Sequence, residues 1–373
     1  MEFNKLLELM VAKGASDLFI TAGKPPMLKV NGRLYAASKI DLSASLTQQM
    51  VFGVMNAEQQ QVFEHGHECN FAIHEETLGR FRVSAFFQRN LPGMVLRRIE
   101  SEIPQVSSLG LPPIIEELAM TKRGLIIFVG ATSTGKSTSL ASMIGHRNRN
   151  SSGHIVSIED PIEFLHEHEG CIITQREVGI DTESFEVALK NTLRQAPDVI
   201  MIGEVRTRET MEYALTFAET GHLCVCTLHA NNANQALDRI MSFFPSDRHQ
   251  QIWMDLSLNL RAMVAQQLIP TVHGHGRRAA IEVLLNTPLV SDYIRKGDVH
   301  LLKEVMASSN EQGMQTFDQA LYELFMAGEI DYDAALASAD SANDLRLKIK
   351  LTADATGTAV QKTQLDYLTM EQD

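Results

Sequence analysis

Apolar residues recur every three to four positions over Glu2–Lys13, with Phe3, Leu6, Leu7, Met10 and Val11 on one face, and Gly14 then stops the predicted helix. The pattern changes to short strand-like runs at Asp17–Thr21, Met27–Val30 and, after the turn signal Asn31-Gly32, Arg33–Tyr35. Thr47–Glu64 reads as one helix, and Arg80–Gln88 with Gly93–Ile99 as a hairpin around Asn90-Leu91-Pro92. Residues 1–104 are thus expected to form a small α+β domain that ends at Ile103-Pro104.

Residues 105–123, with Gly110, the Pro112-Pro113 pair and a short helix at Ile114–Met120, have the composition of a linker. From residue 124 to about 290, apolar strands alternate with helices, the pattern of a parallel sheet. The expected strands are Leu125–Val129, Ile155–Ile158, Val199–Ile202 and Leu223–Leu228. Residues 291–340 look helical, with amphipathic stretches at Met314–Ala327 and Tyr332–Ala337. In the tail, residues 341–373, Leu345–Leu351 alternates apolar and basic residues like a short strand, and the last twenty or so residues read as polar and flexible.

A chain of 373 residues that is 44% hydrophobic can bury the cores of two domains. Its apolar runs fall far short of the roughly 18 residues a membrane span needs, and no signal peptide opens it, so the cytoplasm is the expected compartment. A net charge of −13 argues against general nucleic-acid binding, which needs basic surface. The four cysteines include no Cys-x-x-Cys pair, which disfavours structural zinc. His65/His67, His166/His168 and His273/His275 lie in polar stretches and read as solvated rather than metal-bound.

One segment changes the picture. Gly130-Ala-Thr-Ser-Thr-Gly135-Lys136-Ser137 fits the P-loop pattern, entered by an apolar strand and left by a helix at Ser139–Ile144. Backbone N–H groups of such a loop surround phosphates, a lysine neutralises their charge, and a serine hydroxyl ligates Mg²⁺. Gly130, Thr132, Ser133, Thr134, Gly135, Lys136, Ser137 and Thr138 are the expected contacts of ATP, with Ser137 on Mg²⁺. The bland alternative is a chance glycine-rich turn.

Two acidic strand ends follow. Glu159-Asp160-Pro161-Ile162-Glu163 comes directly after Ile155–Ile158, where a carboxylate sits over the ligand crevice of an α/β sheet, unless it is a plain solvated turn. Asp198-Val-Ile-Met-Ile-Gly203-Glu204 has the Walker-B layout, in which Glu204 holds Mg²⁺ through water or orients the attacking water. His222 and His229 bracket Leu223–Leu228 and are candidates to sense a γ-phosphate or a neighbouring subunit, or to be satisfied structurally. Arg80, Arg82, Arg97 and Arg98 cluster on the expected hairpin, and Arg194 and Arg206 flank the Walker-B strand; solvated surface charge is the alternative for each.

With its motifs in this order the chain resembles the secretion-superfamily ATPases, and among them the type IV pilus retraction ATPases of the PilT/PilU kind. The resemblance runs from Gly14-Ala-Ser-Asp17 through Arg80-Phe-Arg-Val, the P-loop, Ile158–Phe164, Gln175-Arg-Glu-Val, Gly203-Glu-Val-Arg206, Ala218–His222 and Thr227-Leu-His229 to Gly313-Met-Gln-Thr. It implies an N-terminal PAS-like domain joined to a RecA-like domain in a hexameric ring that hydrolyses ATP to retract pili. It further implies Glu163 as general base, Glu204 as Walker-B glutamate, and His222–His229 as the His box. No long extra N-terminal region and no four-cysteine insertion are present, as in retraction rather than assembly ATPases. Ser133 in place of glycine, Thr207 in place of aspartate, Leu289–Ile294 in place of the usual segment and an extended tail look more like the accessory PilU branch. The partners so implied are the chain's own copies, the main retraction ATPase and the inner-membrane pilus platform protein, with no nucleic acid.

Two other classes stay open on the residues alone: a RecA-like nucleic-acid translocase, which the charge opposes, and a nucleotide-gated ring with little turnover, which Ser133 favours. Arg97, with Arg82, is the expected arginine that distinguishes ATP from ADP, since a ligand shifts shape only through differential contacts.

Overall fold

The computed structural model describes residues 3–30, 32–99, 102–272, 274 and 276–356. Glu2, Asn31, His273, His275 and the tail beyond Thr356, on which some expectations fall, lie outside them. The chain divides into two compact units. One comprises Met1–Ile103, Ile158–Glu167 and Gln175–Ala188; the other comprises Pro104–Ser157, His168–Thr174 and Leu189–Asp373.

The first unit is built on six antiparallel strands in the order β3-β2-β1-β6-β5-β4. These are β1 (Asp17–Ile20), β2 (Met27–Val30), β3 (Arg33–Ala36), β4 (Glu68–Glu75), β5 (Gly79–Gln88) and β6 (Leu91–Arg98). Phe81, Val83 and Ala85 alternate into the core on β5, as half-buried strands require. They pack with Leu6, Leu7 and Met10 of helix α1 (Phe3–Ala12). The hairpin turns at Arg89-Asn90, both left-handed with φ of 49° and 62°, rather than around Asn90-Leu91-Pro92. Two such residues make the tight turn whose twist matches the strands, which lets Leu91 and Pro92 pair opposite Gln88 and Phe87.

Thr47–Glu64 is two helices, α2 (Ala44–Gly53) and α3 (Ala57–Gly66), not one. Asn56 begins the second: its Oδ1 accepts from the Gln59 N–H, and Gln59 Oε1 accepts from the Asn56 N–H, each at 2.9 Å. That reciprocal cap stabilises a new start more than the apolar pattern favours continuing.

The second unit carries a seven-stranded sheet in the order β13-β12-β7-β11-β10-β8-β9. In chain order its elements begin with α4 (Ile114–Ala119), β7 (Gly124–Val129), α5 (Lys136–Asn150), β8 (Gly153–Glu159) and β9 (Cys171–Glu177). There follow α6 (Phe185–Thr192), β10 (Val199–Ile202), α7 (Arg208–Glu219), β11 (Leu223–Leu228), α8 (Ala233–Ser242) and α9 (His249–Asn259). Next come β12 (Leu260–Pro270), β13 (Arg277–Leu285), α10 (Pro288–Lys296), α11 (Leu302–Ser308), α12 (Phe317–Met326), α13 (Tyr332–Ser338) and α14 (Ala342–Thr356). β12, β7, β11 and β10 run parallel, and β13 is antiparallel to β12 because residues 271–276 are too few for a crossover. β7, β10 and β11 are buried along their whole length, so their sequence reads as unbroken apolar runs. The result is an α/β fold with mixed sheets. Val106, Leu111, Ile115 and Leu118, in the stretch with linker composition, pack into this unit's core.

Leu345–Leu351 is helical, within α14, and not a strand. The alternation misleads because Leu345 and Ile349, four residues apart, are buried together on one helical face while Leu347 and Leu351 are exposed.

Candidate functional site

The glycine-rich loop lies between β7 and α5, residues 130–135, and the sequence builds it from both ends. Lys136 opens α5, and Gly135, at φ 86°, precedes it without any side-chain cap. The first backbone N–H groups of α5 therefore have no capping side chain, the arrangement that binds anions at helix N-termini. A Cβ at Gly135 would come within 2.7 Å of the Gln266 amide nitrogen, and one at Gly130 within 2.8 Å of the Gln266 carbonyl oxygen. Glycine is thus required by the closeness of β12 beneath the loop. Ser133, at φ 64°, holds a left-handed conformation at a non-glycine residue. Thr134 Oγ1 donates to the Ala131 carbonyl at 3.0 Å, which tightens the bend.

Lys136 is buried, and its ammonium donates to the Gly130 and Ala131 carbonyls at 2.8 and 2.7 Å. Its charge is thereby held in the concavity of the loop. Ser137 and Thr138 occupy the first turn of α5, and Thr132 lies exposed in the loop.

Glu204 follows β10 and is held on both oxygens. His229 Nε2 lies 3.0 Å from Oε1, and Arg206 donates to Oε2 at 2.7 Å. The other ring nitrogen of His229 is 3.2 Å from the Gly130 carbonyl, so this histidine bridges the Glu204 carboxylate and the glycine-rich loop. Thr227 Oγ1 donates to the Gly203 carbonyl at 2.6 Å and keeps the ends of β10 and β11 level. His222 stands at the opposite end of β11, where Thr220 Oγ1 meets its Nδ1 at 3.1 Å. Six strand residues separate the two histidines, roughly 20 Å at the rise of a strand. Only His229 reaches the loop.

Glu163, Arg82 and Arg97 belong to the first unit, Lys136, Glu204 and His229 to the second. Glu163 is exposed. Glu159, in the same acidic segment, is buried and accepts from Gln175 Nε2 at 3.2 Å. Arg82 lines a cavity of about 510 Å³ with Asp160 and Glu177. Burial pushes the Glu177 carboxyl up, against the pull of the Ile162 N–H and of Arg80 and Arg82. Arg97 donates from Nε to Asp17 Oδ1 at 2.8 Å. Arg194 is exposed in the short turn after α6.

Residues 2–362 match the family model described as type II/IV secretion system protein. The chain belongs to that family. Within it the chain is PilU-like: it is 70% identical over 355 residues to the type IV pilus ATPase PilU of Pseudomonas aeruginosa, spanning 95% of this chain and 93% of that one. It is 37% identical over 335 residues to the type IV pilus retraction ATPase PilT of the same organism, spanning 90% and 97%. A crystal structure of the pilus retraction motor PilT with bound ADP superposes with a TM-score of 0.88 at 37% identity, covering 93% of this chain and 99% of that one.

Two residues around the loop, Gln266 and Arg277, carry no local signal in the sequence, and the role of Asp17 as the partner of Arg97 carries none either. Gln266 accepts from Ser139 Oγ at 2.7 Å through its buried side chain and supports the loop from below. Its place on an apolar strand makes the lone amide look incidental. Asp17 anchors Arg97 from eighty positions away, and Arg277 of β13 donates to the Ser133 carbonyl at 3.4 Å. Such pairings are set by sheet register, which no local pattern reports. Among the described residues no helix is long and apolar enough to cross a membrane.

Proposed function

We propose that this chain is the subunit of a hexameric, cytoplasmic ATPase of the PilU type, peripheral at the inner-membrane face of the pilus machine. It couples ATP hydrolysis to type IV pilus retraction as an accessory to the main, PilT-like retraction ATPase. In this reading residues 1–104 are a PAS-like domain, 124–290 a RecA-like ATPase core and 291–340 a helical subdomain. The observation that carries the reading is the contact of His229 with both Glu204 and the Gly130 carbonyl, beside the buried ammonium of Lys136. It brings the glycine-rich loop and a held carboxylate to one end of the sheet.

The loop's chemistry fits a nucleotide polyphosphate. A close-packed glycine loop, a helix N-terminus without a capping side chain and a buried ammonium all favour clustered negative charge. Ser137 and Glu204 are the oxygen donors that would hold Mg²⁺, a hard cation that takes few protein ligands and keeps several waters. Bound there, the ion would neutralise charge developing on the phosphate oxygens. Lys136 would exchange its two carbonyl partners for phosphate oxygens. Glu204, kept in one orientation by His229 and Arg206, would orient water, and Glu163 would act as the general base. Arg82 and Arg97 would complete the positive charge around ATP, in their own chain's site or in a neighbouring subunit's.

The reading is tested by turnover of the purified protein. Wild type should hydrolyse ATP and Lys136→Ala should not, and native mass spectrometry with nucleotide should give six subunits per ring. Wild-type turnover by Lys136→Ala would overturn the assignment of the loop. Assembly with the main retraction ATPase in the same spectra is the expected mark of the accessory role.

A further inference from the structure

Glu282, on β13 of the second unit, is fully buried and lies outside the phosphate loop. Its Oε1 accepts a 2.8 Å hydrogen bond from the backbone N–H of Ala233, the first residue of α8. The backbone N–H of Phe317, the first residue of α12, pulls the titration of this carboxyl down without a hydrogen bond to it. Among the described residues Oε2 has no hydrogen-bond partner. One carboxyl therefore stands where two helices begin, and helix N-termini favour negative charge while burial opposes it. The opposition places its titration near neutrality: burial pushes it up to about 7, Asp340 adds to that push, and the Ala233 and Phe317 N–H groups and Lys303 pull it down.

The charged groups near it are linked to one another. Lys303 of α11 donates to Asp340 at 2.6 Å, and Asp340 also accepts from the side chain of Asn232, the N-cap of α8, at 3.4 Å. Asp318 of α12 accepts from the backbone N–H groups of Asp340 and Ser341 at 2.8 and 3.1 Å. The start of α8 is thus gripped from β13 through Glu282 and from the C-terminal helices through Asp340. Residues 230–232 alone separate that grip from His229, which meets Glu204 and the Gly130 carbonyl.

We propose that Glu282 is a positioning residue for His229: it fixes the first turn of α8, and so the short arm presenting His229 to Glu204, and it grips that turn tightest when ionised. A charged acceptor makes the stronger hydrogen bond to a backbone N–H, and it also complements both helix dipoles. The same turn is tied to the C-terminal segment through Asn232, whose side chain donates to Asp340. The inference rests on the reading of Glu204 and His229 as residues of ATP hydrolysis.

The test is the steady-state rate of ATP hydrolysis by the full-length protein, measured from about pH 5.5 to about pH 8.5. Wild-type kcat should rise on the order of fivefold through neutrality, the difference between a charged and a neutral acceptor, with KM for ATP unchanged. Glu282→Gln should stay at the low plateau throughout. Asp340→Asn should move the midpoint to lower pH and Lys303→Ala to higher pH, which a purely structural role would not produce. A wild-type profile in Glu282→Gln, or midpoints unmoved in both Asp340→Asn and Lys303→Ala, would overturn the positioning role. Loss of all ATP hydrolysis in wild type, or its persistence in Lys136→Ala, would instead overturn the reading of the site itself.

Discussion

Asp17, buried at the start of β1, accepts a 2.8 Å hydrogen bond from Nε of Arg97, its cross-strand neighbour on β6. Arg97 in turn stands opposite Arg82 on β5, so a carboxylate and two guanidiniums lie in register across three strands. Ser16 Oγ supplies the second bond to Asp17, also at 2.8 Å. The carboxylate holds the Nε edge of Arg97 and sets the direction of its side chain.

Arg97→Ala should therefore have two separable effects. Leaving Asp17 with one partner costs about 1–2 kcal/mol, read as a lower urea midpoint with unchanged slope. Arg82→Ala should cost less, because Arg82 acts on the buried Glu177 through charge, whereas Arg97 gives the buried Asp17 a hydrogen bond. In nucleotide titrations, Arg97→Ala should bind ADP nearly normally and lose about tenfold or more of its preference for ATP. Unchanged preference would leave Arg97 as a structural partner of Asp17 only.

Glu204→Gln keeps size and shape but loses the charge that Arg206 and His229 hold. ATP affinity should stay within about threefold of wild type while kcat falls on the order of a hundredfold, as for loss of one preorganised electrostatic group. His229→Ala should lower kcat in the same direction and add little in combination with Glu204→Gln, since the two residues act as one unit. Full additivity in the double variant would show that they act separately.

Ser133 pays a backbone cost at φ 64° that glycine would not. Ser133→Gly removes strain of about 1–2 kcal/mol but adds unfolded-state freedom of roughly 0.5–1 kcal/mol, so melting should stay level or rise slightly. Ser133→Val, branched at Cβ, should melt lower by several degrees and bind nucleotide more weakly. Calorimetry of both variants decides it, and a stable Ser133→Val would show that the loop relaxes out of the left-handed region.

Glu282 also makes folding stability depend on pH. Its carboxyl goes from an ordinary value of 4.5 to about 7 on folding, chiefly through burial. The folded state therefore holds its proton more tightly than the unfolded chain, and the stability this gives is complete below about pH 4.5 and lost as pH rises to about 7. The loss is of the order of 3 kcal/mol. Urea unfolding of wild type against Glu282→Gln should show the difference in slope within that window, and parallel curves would remove Glu282 as its source.

The sequence alone determined the strands that are buried on both faces and the loop between β7 and α5. Each is a contiguous signal: an unbroken apolar run, or glycines and Lys136 at fixed spacing before a helix. It also ordered the acidic strand ends and the histidines well enough to mark the family. What it could not fix are relations at long separation. Register across β1, β6 and β5 pairs Asp17 with Arg97, and the fold brings Gln266 under the loop and Glu282 to the start of α8. Local patterning also gave the wrong element where two periods coincide, as at Leu345–Leu351, and where a cap outweighs an apolar run, as at Asn56. At Leu345–Leu351 tertiary packing chose, because which face is buried is decided by neighbours that the local sequence does not contain, whereas the cap at Asn56 is local, Asn56 with Gln59, and simply outweighs the apolar run.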